Sequence, residues 1–256
     1  MAMQRPTLEV ALFTEWTLAM EDLNTSFPTL LAISLTINAV FIGLTVYGVS
    51  QIPRVMKAIV ASMTRRQKDS WAASKLNSAD IVFLGDSITH EGSWEEYFLE
   101  CQTVNRGING DTVQGVIDRL PDVLALEPKK LFLMIGVNDL NNHLPIERLK
   151  TTYEDLFDTL STDAPNTKIF LQSILPVKDK LHFGLGAKNK DIVAVNSFLK
   201  TQAAHRGFTF IDTHSLFANE QGVLRPELSN DGLHLCGQGY AQWRDAISQF
   251  VQIDPI

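Results

Sequence analysis

Ile81-Val82-Phe83-Leu84-Gly85-Asp86-Ser87-Ile88-Thr89 is the stretch on which the fold turns. Ile81 to Leu84 is a short apolar run, rich in branched and aromatic residues, with the length and composition of a buried strand. Gly85-Asp86-Ser87 ends the run and presents a serine where the chain turns toward a helix. A hydroxyl at the carboxyl end of a buried strand sits where open α/β sheets bind their ligands. Serine is a weak nucleophile until a base takes its proton and fixed donors hold the oxyanion. The same tripeptide also suits a plain helix cap, because Asp or Ser at a strand–helix junction satisfies free N–H groups. Other parts of the chain must therefore supply a base, an orienter and donors.

Downstream, strand-like runs recur at 103–105, 131–135, 168–173 and 208–211. Helical patterns lie between them near 92–100, 112–126, 145–162 and 188–204, with a last one at 238–252. Strands alternating with helices predict a parallel sheet covered on both faces, hence an α/β fold. Residues 176–190, with Pro176, Gly184, Gly186 and four lysines, read as a loop beside the sheet's carboxyl edge.

Three of these junctions carry chemistry. Asn105-Arg-Gly-Ile-Asn-Gly-Asp-Thr112 follows the second run. Gly107 there lets a backbone N–H approach a reacting atom closely, and Asp111 or Thr112 should cap the next helix. Gly136-Val-Asn-Asp139 follows the third, and the Asn138 amide is a neutral donor suited to an oxyanion it must not protonate. Asp139 reads as a cap. Asp231-Gly-Leu-His234 precedes the final helix, and its spacing lets Asp231 reach the His234 imidazole and set its tautomer. Asp212 and His214 are a reserve dyad. No His, Cys, Asp or Glu grouping has zinc-site spacing, so the expected reaction needs neither metal nor cofactor.

Upstream, residues 7–23 alternate acids with apolar positions, as in an amphipathic helix, and Asn24 to Pro28 predict a helix stop and restart. From Pro28 to Val49 no residue is charged, and about 20 such residues span a bilayer. Arg54, Lys57, Arg65, Arg66 and Lys68 follow without an acid, whereas only Arg5 precedes. That asymmetry predicts a single pass with the N-terminus outside and the catalytic domain on the cytoplasmic side. Ala39, Gly43 and Asn38 raise a membrane-protein partner through the same helix. The expected domains are an N-terminal segment 1–26, a transmembrane helix 27–50, a basic helical stem 51–79 and a soluble domain 80–256.

The 256 residues suffice for one full core plus an appendage, and a net charge of -7 argues against nucleic acid as a partner. Two cysteines, Cys101 and Cys236, make no disulfide framework and leave the redox compartment open.

Together the blocks resemble the SGNH (GDSL-type) hydrolase family: Ser87 in Gly-Asp-Ser, Gly107 in the second block, Asn138 in Gly-x-Asn-Asp, and Asp231 with His234 in Asp-x-x-His. The resemblance runs from about Asp80 to Val251. Asn105 to Thr112 and Asp231 to Tyr240 further resemble the branch of platelet-activating-factor acetylhydrolase catalytic subunits. It implies a five-stranded parallel sheet in flavodoxin-like order. It also implies an esterase for small acyl groups, acetyl foremost, on a lipid or an acetylated sugar. In that reading Ser87 attacks, His234 is base then acid, Asp231 orients it, and Asn138 with the N–H groups of Ser87 and Gly107 forms the oxyanion hole. Acyl transfer at the same site and a membrane-complex docking module are the alternatives.

Overall fold

The computed structural model describes residues 8–74, 76–178 and 186–252. The chain forms two compact units, Met1–Ile59 and Val60–Ile256. Helix α1 runs Leu8–Ala72 without interruption. The expected stop at Asn24 to Pro28 is not there. A proline removes one hydrogen bond, and propagation through the turns on either side outweighs that local loss.

The expected transmembrane helix 27–50 has no ends of its own, since it lies inside α1. Among the described residues no helix is long and apolar enough to cross a membrane. The side chains of Leu30, Ile33, Ile37 and Val40 lie outside the described set. Residues 179–185 of the expected loop at 176–190 also lie outside it.

The second unit is built on five strands, β1 Ile81–Gly85, β2 Thr103–Gly107, β3 Lys130–Met134, β4 Lys168–Gln172 and β5 Thr209–Ile211. They pair in parallel in the order β2-β1-β3-β4-β5, the flavodoxin-like order. Gly85 is level with Gly107 on one side and Met134 on the other, so three exits open side by side. Ligand crevices form at such a point, where neighbouring crossovers leave in opposite directions.

Helices α4 Val113–Leu124, α6 Ile146–Asp163 and α7 Asn189–Arg206 pack as a row. The opposite group is α3 Trp94–Tyr97 and α9 Gly237–Val251, which meet through Trp94 and Trp243, ring centres 4.8 Å apart. Phe83, Phe132 and Phe170 are register partners on β1, β3 and β4, and their rings stack at 4.8 and 4.5 Å. Trp94 stacks on the first of them at 4.1 Å. This aromatic row is the part of the core over which α3 and α9 are seated. The helix expected over 92–100 is only the one turn of α3, because Gly92 and Ser93 delay its start and Phe98 leaves helical geometry.

Candidate active site

Three more short helices line the carboxyl edge, α2 Ser87–His90, α5 Val137–Asn141 and α8 Thr213–Phe217, and of these the sequence signalled only the turn into a helix and the cap at Asp86-Ser87. Each follows a strand almost directly. Asp86 caps α2, its Oδ1 accepting from the Ile88 N–H at 3.0 Å, which places Ser87 in the first turn. Asp212 caps α8 in the same way.

Ser87 Oγ lies 2.9 Å from His234 Nε2. His234 Nδ1 lies 2.7 Å from Asp231 Oδ2. Asp231 Oδ1 accepts from the N–H groups of Leu233 and His234, both at 2.8 Å. Burial pushes the Asp231 carboxyl up. The hydrogen bonds from the His234 ring and the two N–H groups outweigh it and hold the carboxyl at about 2. It is thus an anion at neutral pH, fixed against Nδ1. The reserve dyad is not formed: the Asp212 oxygens take the N–H and hydroxyl of Ser215, and His214 Nε2 is buried without a partner among the described residues.

Asn138 Nδ2 donates to the Asp111 carbonyl at 2.9 Å, and Asp139 Oδ2 accepts from the Val113 N–H at 3.1 Å. Adjacent residues of α5 thus grip the turn after β2 from both sides. Gly107 has a different place from the one expected. Its N–H donates to Asn105 Oδ1 at 2.8 Å, and a Cβ there would lie 2.2 Å from the His90 nitrogen. It is a glycine so that β2 can pass close under α2. Gly110, with φ of 74°, leaves its N–H without a partner among the described residues, as does Ser87. The donor available on the second block is therefore that of Gly110, beside the carbonyl held by Asn138.

Several residues of this edge escaped sequence reading. Asn105 Nδ2 lies within 3.1 Å of the carbonyls of Thr89, His90 and Gly92, tying down the segment after Ser87. Arg119 pairs with Asp111 at 2.8 Å and donates from Nη2 to the Gly85 carbonyl at 3.1 Å. Its signal was an arginine falling on the apolar stripe of α4, between Val116 and Val123. Asp86, Asp111 and Asp139 are three acids, and the one ion pair that they make among the described residues is that of Asp111 with Arg119. Desolvation raises Asp86 to about 7 and Asp139 to about 6, and raises Asp111 despite Arg119.

Residues 83–242 match the family model of the GDSL-like Lipase/Acylhydrolase family. The human platelet-activating factor acetylhydrolase IB subunit alpha2 is 29% identical over 170 residues, covering 64% of this chain and 72% of the relative. A GDSL-like lipase from Bacteroides thetaiotaomicron superposes with a TM-score of 0.64 at 21% identity, over 73% of this chain and 96% of its own. For a Geobacillus acetyl-xylooligosaccharide esterase variant the TM-score is 0.54 at 21% identity, over 72% and 99%.

Proposed function

Because the chain belongs to the GDSL-like lipase/acylhydrolase family, we propose that it is a serine esterase that removes small acyl groups through an acyl-enzyme on Ser87. The observation that carries this is the unbroken hydrogen-bonded line from Ser87 Oγ through the His234 ring to Asp231. Ser87 Oγ attacks the ester carbonyl while His234 Nε2 takes its proton and returns it to the departing alcohol. Asp231 stays ionised throughout and stabilises the imidazolium that forms between these steps. Asn138 Nδ2 and the N–H groups of Ser87 and Gly110 serve the oxyanion, with Gly107 giving the close packing behind them. Water then attacks the acyl-enzyme with His234 again as base.

Preference for acetyl is supported by two of the similar proteins, whose names carry an acetyl ester. Hydrolysis of p-nitrophenyl acetate, butyrate, hexanoate and octanoate by the 256-residue chain tests it, with Ser87→Ala as control. Rates should peak at acetate and vanish in the variant, together with labelling by a fluorophosphonate. A steady rise to octanoate would exclude the small-acyl reading.

Membrane anchorage by residues 27–50, with the catalytic unit on the cytoplasmic face, rests on the uncharged run and on the five bases after it. In sealed right-side-out vesicles, protease should spare residues 80–256. Digestion of that region would place the site outside.

A further inference from the structure

At the β2 edge of the sheet, the last turns of α1 and helix α4 enclose a cavity of about 410 Å³. Lys68, Trp71, Arg106, Arg119 and Asp122 are among the side chains that line it. Arg106 is only 7% exposed, yet no carboxylate of the described residues pairs with it. Its Nη1 donates to nothing but the carbonyl of its own neighbour, Asn105, at 3.1 Å. Arg119 is 1% exposed, and its Nη1 has no hydrogen-bond partner among the described residues. The Trp71 ring faces both guanidinium groups, with its centre 4.7 Å from Arg106 and 5.8 Å from Arg119.

A buried guanidinium is costly unless a counter-charge and hydrogen-bond acceptors compensate for lost water. Asp111 answers the charge of Arg119. Asp122 and Asp86 also favour the charge of Arg119, though neither forms an ion pair with it among the described residues. Burial presses the Arg106 pKa down and the neighbouring Arg119 charge adds to the effect, with Glu95 opposing both in part and without an ion pair. Two cations are thus held close together, with donors unused and space beside them.

We infer that this cavity binds a phosphate group, carried by a lipid headgroup or free in solution. Two planar forks and an ammonium offer more donors than the two oxygens of a carboxylate accept, whereas phosphate presents three or four. Trp71 closes one side as an apolar wall that also stacks on the guanidinium of Arg106. Arg119 connects this cavity to the Gly85 carbonyl, two residues before the serine. The site stands independently of the esterase reading.

The test titrates the 256-residue chain in nonionic detergent with inorganic phosphate and, separately, with dihexanoyl phosphatidic acid. Tryptophan emission and melting temperature are followed. At least one ligand should shift both in a saturable way. Lys68→Gln and Arg106→Gln should each weaken that binding by about tenfold, the effect of one charge-assisted contact. Lys68→Gln, at a half-buried position with no ion pair among the described residues, should also keep its phosphate-free melting temperature. Tighter binding of the lipid by about tenfold or more identifies a headgroup site; equal binding identifies free phosphate. The inference is overturned if neither ligand saturates, or if Lys68→Gln binds as the parent does.

Discussion

The Tyr240 hydroxyl donates to the Ile88 carbonyl at 2.7 Å, joining the helix after His234 to the turn that carries Ser87. Burial and the nearby acids Glu91 and Asp86 raise the Tyr240 phenol well above its ordinary range, so it remains a donor at every working pH. Tyr240→Phe leaves the buried Ile88 carbonyl without its partner. It should cost about 1 to 3 kcal/mol in urea unfolding and lower kcat more than it changes KM. Equal stability with unchanged kcat would show that the bond positions nothing.

His234→Ala should be the more damaging change at the dyad, because it removes the base itself. Asp231→Asn keeps the ring but donates where Nδ1 needs an acceptor, and it should retain more residual activity. Steady-state rates of the two variants decide the order. A dead His214→Ala beside an active His234→Ala would reverse the assignment.

Asn138→Ala should lower kcat by about 100- to 1,000-fold with little change in KM, the cost of one oxyanion donor. Gly107→Ala should behave differently. Its Cβ meets backbone at 2.2 Å, so its loss should appear first as a lower melting temperature. A Gly107→Ala protein of parental stability and no activity would return Gly107 to the oxyanion hole.

Stability should change with pH in two windows of opposite sign. Asp231 has its folded pKa depressed from 3.8 to about 2, so its contribution is present above 3.8 and lost as pH falls toward 2. Asp86 is raised to about 7, so the unfolded chain releases its proton first and stability falls as pH rises from about 4 to 7. The slope there is at most about 1.4 kcal/mol per pH unit for each such group. Asp86→Asn can still accept the Ile88 N–H, so it should flatten the upper window. An unaltered profile between pH 4 and 7 would mean that Asp86 is ionised in the fold.

The five strands were legible to within about two residues, four of them because they hold compact apolar runs and β2 because Thr103-Val104 leads into a glycine-marked turn. The Thr112 cap was legible too, since its hydroxyl accepts from Gly115 within the same turn. The extents of helices α2, α5 and α8 were not, because four or five residues are too few to show a period, although the cap at Asp86 was. The choice between Gly107 and Gly110 was closed to sequence reading for another reason. It depends on which N–H the Asn105 side chain takes, and that is settled only when β2 and α2 are packed. Arg119 was hidden because a lone cation on an apolar stripe reads as a surface residue until its partners on β1 and the second block are in place.

The His234–Asp231 contact spans three residues, whereas the His234–Ser87 contact spans 147. The first is a local turn that survives as long as four residues keep their conformation. The second exists only while α9 stays seated on the aromatic row beneath it. Opening of the C-terminal helix would then leave an intact acid–base pair with no nucleophile to serve. On heating or in mild denaturant, esterase activity should be lost before the sheet exchanges its amide protons, so that turnover reports on the docking of one helix.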